Sequence, residues 1–483
     1  MTGPVLAVDQ GTSGTKALVI CPERGVIGTG FAALRTRHLP GGRVETDPLE
    51  LCDSVLVAGR RALAEAGEPV TALGLANQGE TVLAWDPGTG RPLTDAIVRQ
   101  DRRTEQVCTE LAPQAEELRA LTGLPLDPCL AAPKMAWIRR HLTTEGVVTT
   151  IDAWLVHRLT GAYVTDAATA GRTHLLDLDR VQWSARALDL YGLSAGHLPE
   201  IVDNARLVGV TKEFGAKIPL TGLAVDQQAA LLAERITGPG GAKCTYGTGA
   251  FLLAHTGDTP RRSTSGLAGC VAWRFAGEPG YCLDGQVYTA ASAVRWLTDL
   301  GVISGAADLD RVGGAVPDTG GVTFVPALAG LAAPWRRGEL RGSLTGLGLD
   351  TGPGHLVRAL CEGLAAQVVE LAEAAGSDLG TPLTALRVDG GLTRSALLMQ
   401  TQADLLQRPV EVSALPDATA LGVGALAHLG SDPLDFLPDG RPSAVYEPRV
   451  SAAEAADRLG VFRAAVATLL EGPVAGAGSG VPR

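Results

Sequence analysis

At 483 residues with 46% apolar side chains, the chain is long enough to close more than one hydrophobic core, and two large domains are expected. Its 52 acidic against 41 basic residues give a formal charge of -11, which excludes broad affinity for a nucleic-acid polymer but leaves room for a local pocket that takes a free nucleotide. No apolar run has the length of a membrane span, no basic and then apolar leader opens the chain, and the eight cysteines show neither a disulfide framework nor zinc spacing, so a cytoplasmic protein with buried thiols is expected.

The chain opens on an apolar run, Val5 to Val8, that ends at Asp9; Gln10 to Thr15 make a polar turn and Ala17 to Ile20 resume an apolar strand. This is a buried hairpin with a carboxylate at its tip. Gly11 and Gly14 allow close backbone approach, the turn hydroxyls and N–H groups suit phosphate oxygens, and Asp9 would then hold a hydrated divalent cation against those phosphates. An ordinary hairpin whose Asp caps the turn is the competing reading. VIGTGFAAL reads as a third strand, DPLELCDSVLVAGRRALAEAG as a helix, and VTALGLANQGE as a strand whose polar end, Asn77 to Glu80, edges a pocket. In AIVRQDRR, Arg99 to Arg103 either line a pocket or form a salt-bridging face. His141, His157 and His174 share no ligand spacing and are read as local packing.

LAVDQQAALL repeats the strand-end pattern: Asp226 stands where a short strand gives way to a helix. Such a carboxylate can cap a helix, or can accept a proton from a substrate hydroxyl. After GPGG, KCTYGTGAFLL carries a second glycine-threonine turn at Gly247, Thr248 and Gly249. Two such turns, one in each half, suggest opposed phosphate-binding loops around a cleft. GHLVRALCEGLAAQVVELAEAAG is helical with an apolar stripe of Leu356, Leu360, Leu364, Val368 and Leu371. LRVDGGLTRS is a strand turning at Gly390 and Gly391 into a helix, ATALGVGALAHLG is a small-residue helix suited to close packing, and AGAGSGVPR reads as a frayed tail.

The order of VDQGTSGTK, NQGETVLAW, AIVRQDRR, AVDQQAAL, TYGTGAFLL, FVPALAGLAAP and VDGGLTRS resembles the FGGY carbohydrate kinase family, most closely its glycerol kinase-like branch, over residues 4 to 430. The resemblance implies an α/β fold of duplicated actin-like (ribonuclease H-like) ATPase domains forming a two-lobed kinase. Residues 1–235 would carry the substrate-binding elements, 236–450 the nucleotide-binding elements, and 451–483 a C-terminal extension with a flexible tail. ATP and Mg2+ are the implied cofactors, a small polyol or sugar is the implied partner, and a homodimer or homotetramer is the implied assembly. Asp9 resembles the magnesium-associated carboxylate, Thr12 and Ser13 the turn near the transferred phosphate, and Asp226 the substrate-activating base. Gln78, Glu80, Gln227 and Phe251 match acceptor contacts, Gly247, Thr248 and Gly249 the second phosphate turn, and Gly390 with Gly391 the nucleoside connection.

The departures from the family pattern concern the acceptor most. Gly79 stands where the family has an arginine, Arg99 where it has a tryptophan and Cys129 where it has an aromatic residue, so an acceptor other than glycerol is expected, of four or five carbons, or a keto or modified sugar. On the nucleotide side Ala291, Arg295 and Ser395 replace the usual glycine, glutamine and asparagine. The expected activity is ATP-dependent phosphorylation of a primary hydroxyl. Glycerol kinase proper, and a catalytically weak nucleotide-responsive regulator, are the alternatives.

Overall fold

The computed structural model describes residues 3–429 and 432–472; the tail reading of residues 475–483 lies outside them. Strands β1 (Val5–Gln10), β2 (Gly14–Cys21) and β3 (Gly25–Ala33) form the expected antiparallel meander. Asp47 caps α1 (Pro48–Ala66) by accepting from the Leu49 N–H, and Gly67, left-handed at φ 68°, ends it. β4 (Ala72–Asn77) then pairs parallel to β1. β5 (Ala205–Thr211) and β6 (Ile218–Val225) complete a six-stranded sheet in the order β5-β6-β4-β1-β2-β3.

The second half repeats this plan. α2 (Asp226–Ala233) leads to β7 (Gly241–Tyr246), β8 (Ala250–Gly257), β9 (Ala268–Phe275) and β10 (Glu278–Val287), followed by α3 (Ala291–Asp299) and α4 (Pro353–Leu379). β11 (Ala385–Asp389), α5 (Ala396–Leu406), β12 (Val410–Val412), α6 (Ala418–Ala427), β13 (Ala444–Tyr446) and α7 (Ala452–Glu471) finish the chain. The sheet order is β9-β10-β8-β7-β11-β12-β13. In both lobes the first strand is central, with antiparallel partners on one side and parallel ones on the other. The two-lobed α/β architecture expected from the paired turns is therefore present.

Parallel strands place their ends together. Gln10 on β1 and Val225 on β6 are each in register with Asn77 on β4, and Thr245 on β7 with Asp389 on β11. The segments that follow these strands, where an α/β sheet exposes its chemistry, are the ones singled out from the sequence. A separate five-stranded sheet of Arg37–Leu39, Arg43–Thr46, Ala96–Ile97, Val82–Trp85 and Val147–Thr150 rests on helix Ala131–His141 through Val82, Ile97, Met135 and Ile138. It presents Arg99 from just beyond one of its strands.

Two elements pack differently from their sequence reading. α4 buries Leu360, Leu364, Val368 and Leu371 of the expected stripe, with Leu356 partly buried, and extends that core through Val357 and Cys361; it also buries Ala365 and Val369, because α7 covers that face through Leu459, Phe462 and Val466. α6 crosses back to the N-terminal sheet and shares a core with Val5, Ala7, Ala76 and Ala224. Small residues make that approach possible. A Cβ on Gly74 would lie 2.4 Å from the Val423 carbonyl oxygen, and one on Gly422 would lie 1.9 Å from that of Ala229. Gly422→Ala therefore forces backbone apart and is expected to lower stability by about 1–3 kcal/mol, read as a lower denaturant midpoint; an unchanged midpoint would contradict this packing.

Candidate active site

Asp9, next to the last residue of β1, is in register with Lys16 on β2. Burial, then the nearby Asp226 and Asp417 carboxylates, push the Asp9 carboxyl up to about 7, while Lys16 opposes them. Lys16 itself pairs with Asp417, 2.5 Å away, at the head of α6. Among the described residues no set of three or more His, Cys, Asp or Glu side chains forms a ready metal cage. A crowded, oxygen-only pair still fits Mg2+, which keeps several waters and binds through one or two carboxylates plus phosphate.

The two glycine-threonine turns are built alike. Thr12 and Ser13 sit at the tip of the β1–β2 hairpin, half-buried and exposed respectively. In the second turn the Gly247 N–H donates to the Gly249 carbonyl at 2.9 Å, and α3 starts on this turn, with the Ala290 and Ala291 N–H groups donating to the Thr248 and Gly247 carbonyls. Gly390, at φ 97°, backs onto it so closely that a Cβ would lie 2.4 Å from the Tyr246 carbonyl oxygen. Only glycine fits there. Gly390 and Gly391 thus join Gly247 to Gly249 in one surface. Arg295 is exposed on α3, whereas Ser395 caps α5 and donates to Asp310 at 2.5 Å.

Lys243, which the sequence reading passed over, is buried on β7. It donates to Gln227 Oε1 at 3.0 Å and to Thr245 Oγ1 at 2.9 Å, and lies 4.0 Å from Asp389. It links the two lobes beside Asp226. A lysine amid the apolar residues of a central strand was the available signal.

Asp226 begins α2 and accepts from the Gln227 N–H at 2.7 Å. Burial raises its carboxyl above the usual range; Arg99, that N–H and Lys243 pull it back, and Glu80 pushes it further. Glu80, at φ 60° and almost fully buried, takes Arg172 Nε and Nη2 on one oxygen at 2.8 Å each, with Arg99 Nε 3.6 Å from the other. Arg172 continues to Asp284 at 2.8 Å. Lys134 donates to the Glu80 and Cys129 carbonyls. Arg99 donates to Gln286 Oε1 at 3.2 Å, and its guanidinium stands 5.2 Å from the Phe251 ring centroid.

Gly79, Arg99 and Phe251 are thereby connected. Arg99 reaches Glu80, the residue after Gly79, from the neighbouring sheet and stands over the Phe251 ring. A Cβ on Gly79 would already touch Val225 at 3.0 Å. Gln78 donates its N–H to the Gln10 carbonyl at 2.8 Å and leaves its buried Oε1 without a partner. The rest of the Arg99 to Arg103 cluster is structural: Arg103 pairs with Asp101 and Glu45 and stacks on Trp137, and Arg102 pairs with Glu105. The histidines pack locally as expected, His174 against Tyr191, His157 on Trp85 and His141 on Trp137. Asp284 and Gln286 were also missed; two polar residues at period two on an otherwise apolar strand were their trace.

Residues 4–233 match the N-terminal domain, and 242–430 the C-terminal domain, of the FGGY family of carbohydrate kinases. The chain belongs to this family. This FGGY kinase is 41% identical to the glycerol kinase of Gloeobacter violaceus over 89% of each chain. It is likewise 41% identical to that of Alkalilimnicola ehrlichii over 96% of this chain and 97% of the relative. Its structure is similar to Plasmodium falciparum glycerol kinase with ADP, at TM-score 0.91 and 30% identity over 98% and 99% of the two chains. A Brucella ovis xylulose kinase is similar at TM-score 0.87 and 26% identity, over 96% of this chain and 98% of that one. The protein is an ATP-dependent kinase of the carbohydrate and polyol class. Among the described residues of this FGGY kinase, no helix is long and apolar enough to cross a membrane.

Proposed function

We propose that the chain transfers the γ-phosphoryl group of ATP to a primary hydroxyl of a small polyol or sugar held among Glu80, Arg99, Asp226, Gln227 and Phe251. One observation carries this reading: Asp226 opens α2 at the join of the lobes, bonded to the N–H of Gln227, whose side chain is held by Lys243 of the C-terminal lobe, and its buried carboxyl lies within electrostatic reach of Arg99 and Glu80 and of Asp9. A carboxylate that serves both reactants is placed to take the proton of the attacking hydroxyl.

As the hydroxyl oxygen bonds to the γ-phosphorus, its proton passes to Asp226, the bond to the bridging oxygen breaks, and ADP leaves with that electron pair. The Gly11 and Gly247 N–H groups close their own turns on the Gly14 and Gly249 carbonyls, and the N–H groups of Thr12, Ser13, Thr248 and Gly249 would receive the charge that spreads over the γ-phosphoryl oxygens. Asp9 would hold Mg2+, which when bound neutralises phosphate charge. Lys243 fixes Gln227 beside the base, and Gly390 with Gly391 gives the nucleoside a close backbone surface. Both lobes contribute phosphate turns and acceptor contacts, so their closure excludes water, which limits ATP hydrolysis.

The relatives named glycerol kinase favour glycerol as acceptor. Arg99 over Phe251 favours a different or longer one. A panel of glycerol, erythritol, threitol, pentitols, pentuloses and hexuloses, with ADP release and phosphorylated product both measured, is expected to give stoichiometric product from at least one compound. ATP binding without phosphorylated product from any of them would refute the proposal.

A further inference from the structure

We propose that Cys270 and Cys282 form a thiol-oxidation site in the seam between the lobes, where hydrogen peroxide joins them as a disulfide and thereby weakens acceptor binding. The effect on the acceptor rests on the phosphotransfer reading; the oxidation site does not. The two cysteines are directly opposed on β9 and β10, and their sulfurs are 3.5 Å apart. Opposed residues of antiparallel strands have Cα atoms about 4.5 or 5.5 Å apart, within the span that a disulfide bridges. The strand pairing therefore already holds the two side chains for bonding, and both thiols are free.

The surroundings make Cys270 the nucleophile of the pair. Its sulfur accepts from Arg172 Nη1 at 3.6 Å and from Gln228 Nε2 at 3.7 Å, and the Cys282 thiol supplies a third donor. Such a setting favours the thiolate, which is the form that attacks a peroxide. The Cys282 thiol, and after it Arg172, hold Cys270 below the usual thiol range against its burial, while Cys282 is pushed above it. By contrast Cys361, equally buried on α4, is pushed up to about 12, chiefly by burial. Both sulfurs of the pair are enclosed, so the oxidant has to be water-sized. Arg172 and Asp284 line a seam cavity of about 30 Å3, which takes roughly two water-sized groups and so admits hydrogen peroxide. The Arg172 guanidinium runs from this cavity to the Cys270 sulfur.

The Cys270 thiolate attacks one peroxide oxygen: the S–O bond forms, the O–O bond breaks, and hydroxide leaves with the electron pair to be protonated to water. The Cys282 sulfur then attacks the Cys270 sulfur, the S–S bond forms, the S–O bond breaks, and the departing hydroxide takes the Cys282 proton as a second water. The sulfurs together lose the two electrons that the peroxide gains. The product sulfur is neutral, a weaker acceptor than a thiolate, and is drawn toward Cys282. Arg172 and Gln228, both from the N-terminal lobe, thereby lose a partner in the C-terminal lobe. Arg172 is the residue that holds Glu80 with two nitrogens, and Gln228 lies in the first turn of α2 beside Asp226. Loosening is thus transmitted to the acceptor contacts, whereas the turns at Gly247 to Gly249 and at Gly390 are carried by β7 and β11.

The test treats the full-length reduced protein with hydrogen peroxide, maps its thiols by mass spectrometry, and measures KM for ATP and for the acceptor that the substrate panel identifies. Of the eight cysteines, only Cys270 and Cys282 are expected to become a disulfide. The acceptor KM should rise at least threefold, the ATP KM should change less than twofold, and dithiothreitol should restore both. Cys282→Ala, which removes the second thiol, should stop at a Cys270 sulfenic acid that dimedone traps. Earlier oxidation of other cysteines, or a mapped Cys270–Cys282 disulfide that leaves the acceptor KM unchanged, would overturn the proposal. So would an equal peroxide-induced rise in KM in a Cys270→Ala protein. Thiol mapping needs no turnover, so a failure to phosphorylate any compound would remove the phosphotransfer reading and the acceptor effect, and the map alone would then decide the oxidation site.

Discussion

Asp226→Asn is expected to lower kcat by about a thousandfold, within the range that a positioned general base supplies, with acceptor and ATP affinities shifted less than about fivefold. Asparagine has the same shape, and its side-chain oxygen can still accept from the Gln227 N–H that Asp226 holds at 2.7 Å, so α2 keeps its start. The amide cannot take the proton of the attacking hydroxyl. The pH dependence gives a second readout. Only the ionised carboxylate works as a base, and burial raises its pKa above the ordinary aspartate range. The wild-type rate should therefore fall, as pH drops through that raised value, earlier than a surface aspartate would dictate. Saturating MgATP favours ionised Asp9, so this limb reports Asp226, and the Asn protein should lack it. Wild-type turnover, or the same acid limb in the variant, would remove Asp226 from the role of base.

What the sequence made legible was local. Asp9, Asp226 and both glycine-threonine turns could be read because each is a short polar interruption at the end of an apolar run; the paired turns suggested a two-lobed cleft, and the resemblance supplied the duplicated architecture. The course of α6 was half legible: its small residues announced close packing, but Gly74 and Gly222, which receive it, lie far upstream, and its position in the chain pointed to the other lobe. Long-range ion pairing was not legible at all. Glu80 and Arg172 are separated by 92 residues, and Arg99 and Gln286 by 187; nothing in the spacing of charged residues encodes which of 41 cations will meet a buried carboxylate. For that reason Arg99 could be placed in the pocket wall, yet its approach to Glu80 emerged only with the fold. Ser395 illustrates the reverse: a position aligned to a nucleotide contact has its hydroxyl on Asp310.

Arg172→Met is expected to destabilise the folded chain by about 3–5 kcal/mol, the usual consequence of removing one partner from a buried ion pair, and to raise the acceptor KM at least tenfold with a smaller effect on the ATP KM. Arg172 joins Glu80 and Asp284, at 2.8 Å from each. Without it Asp284 loses its partner at 2.8 Å and Glu80 its nearer one, leaving Glu80 with Arg99 at 3.6 Å. Protonation gives the effect its signature. Burial would raise the Glu80 carboxyl, but Arg99, Arg172 and Lys134 together outweigh it and hold the group below its ordinary value. A carboxyl depressed by folding contributes stability above its unfolded pKa and loses it as pH falls through the folded one. In the methionine protein Glu80 regains a proton at higher pH, which relieves the unpaired charge. The deficit in denaturant midpoint should then be larger at pH 7.5 than at pH 5, whereas a packing defect alone would be the same at both. Arg172→Lys restores the charge but not the two-nitrogen grip on Glu80, so it should recover much of the midpoint and little of the acceptor KM. Equal deficits at the two pH values, or full recovery of KM by lysine, would mean that Arg172 fills space and does not hold Glu80 in place for the acceptor.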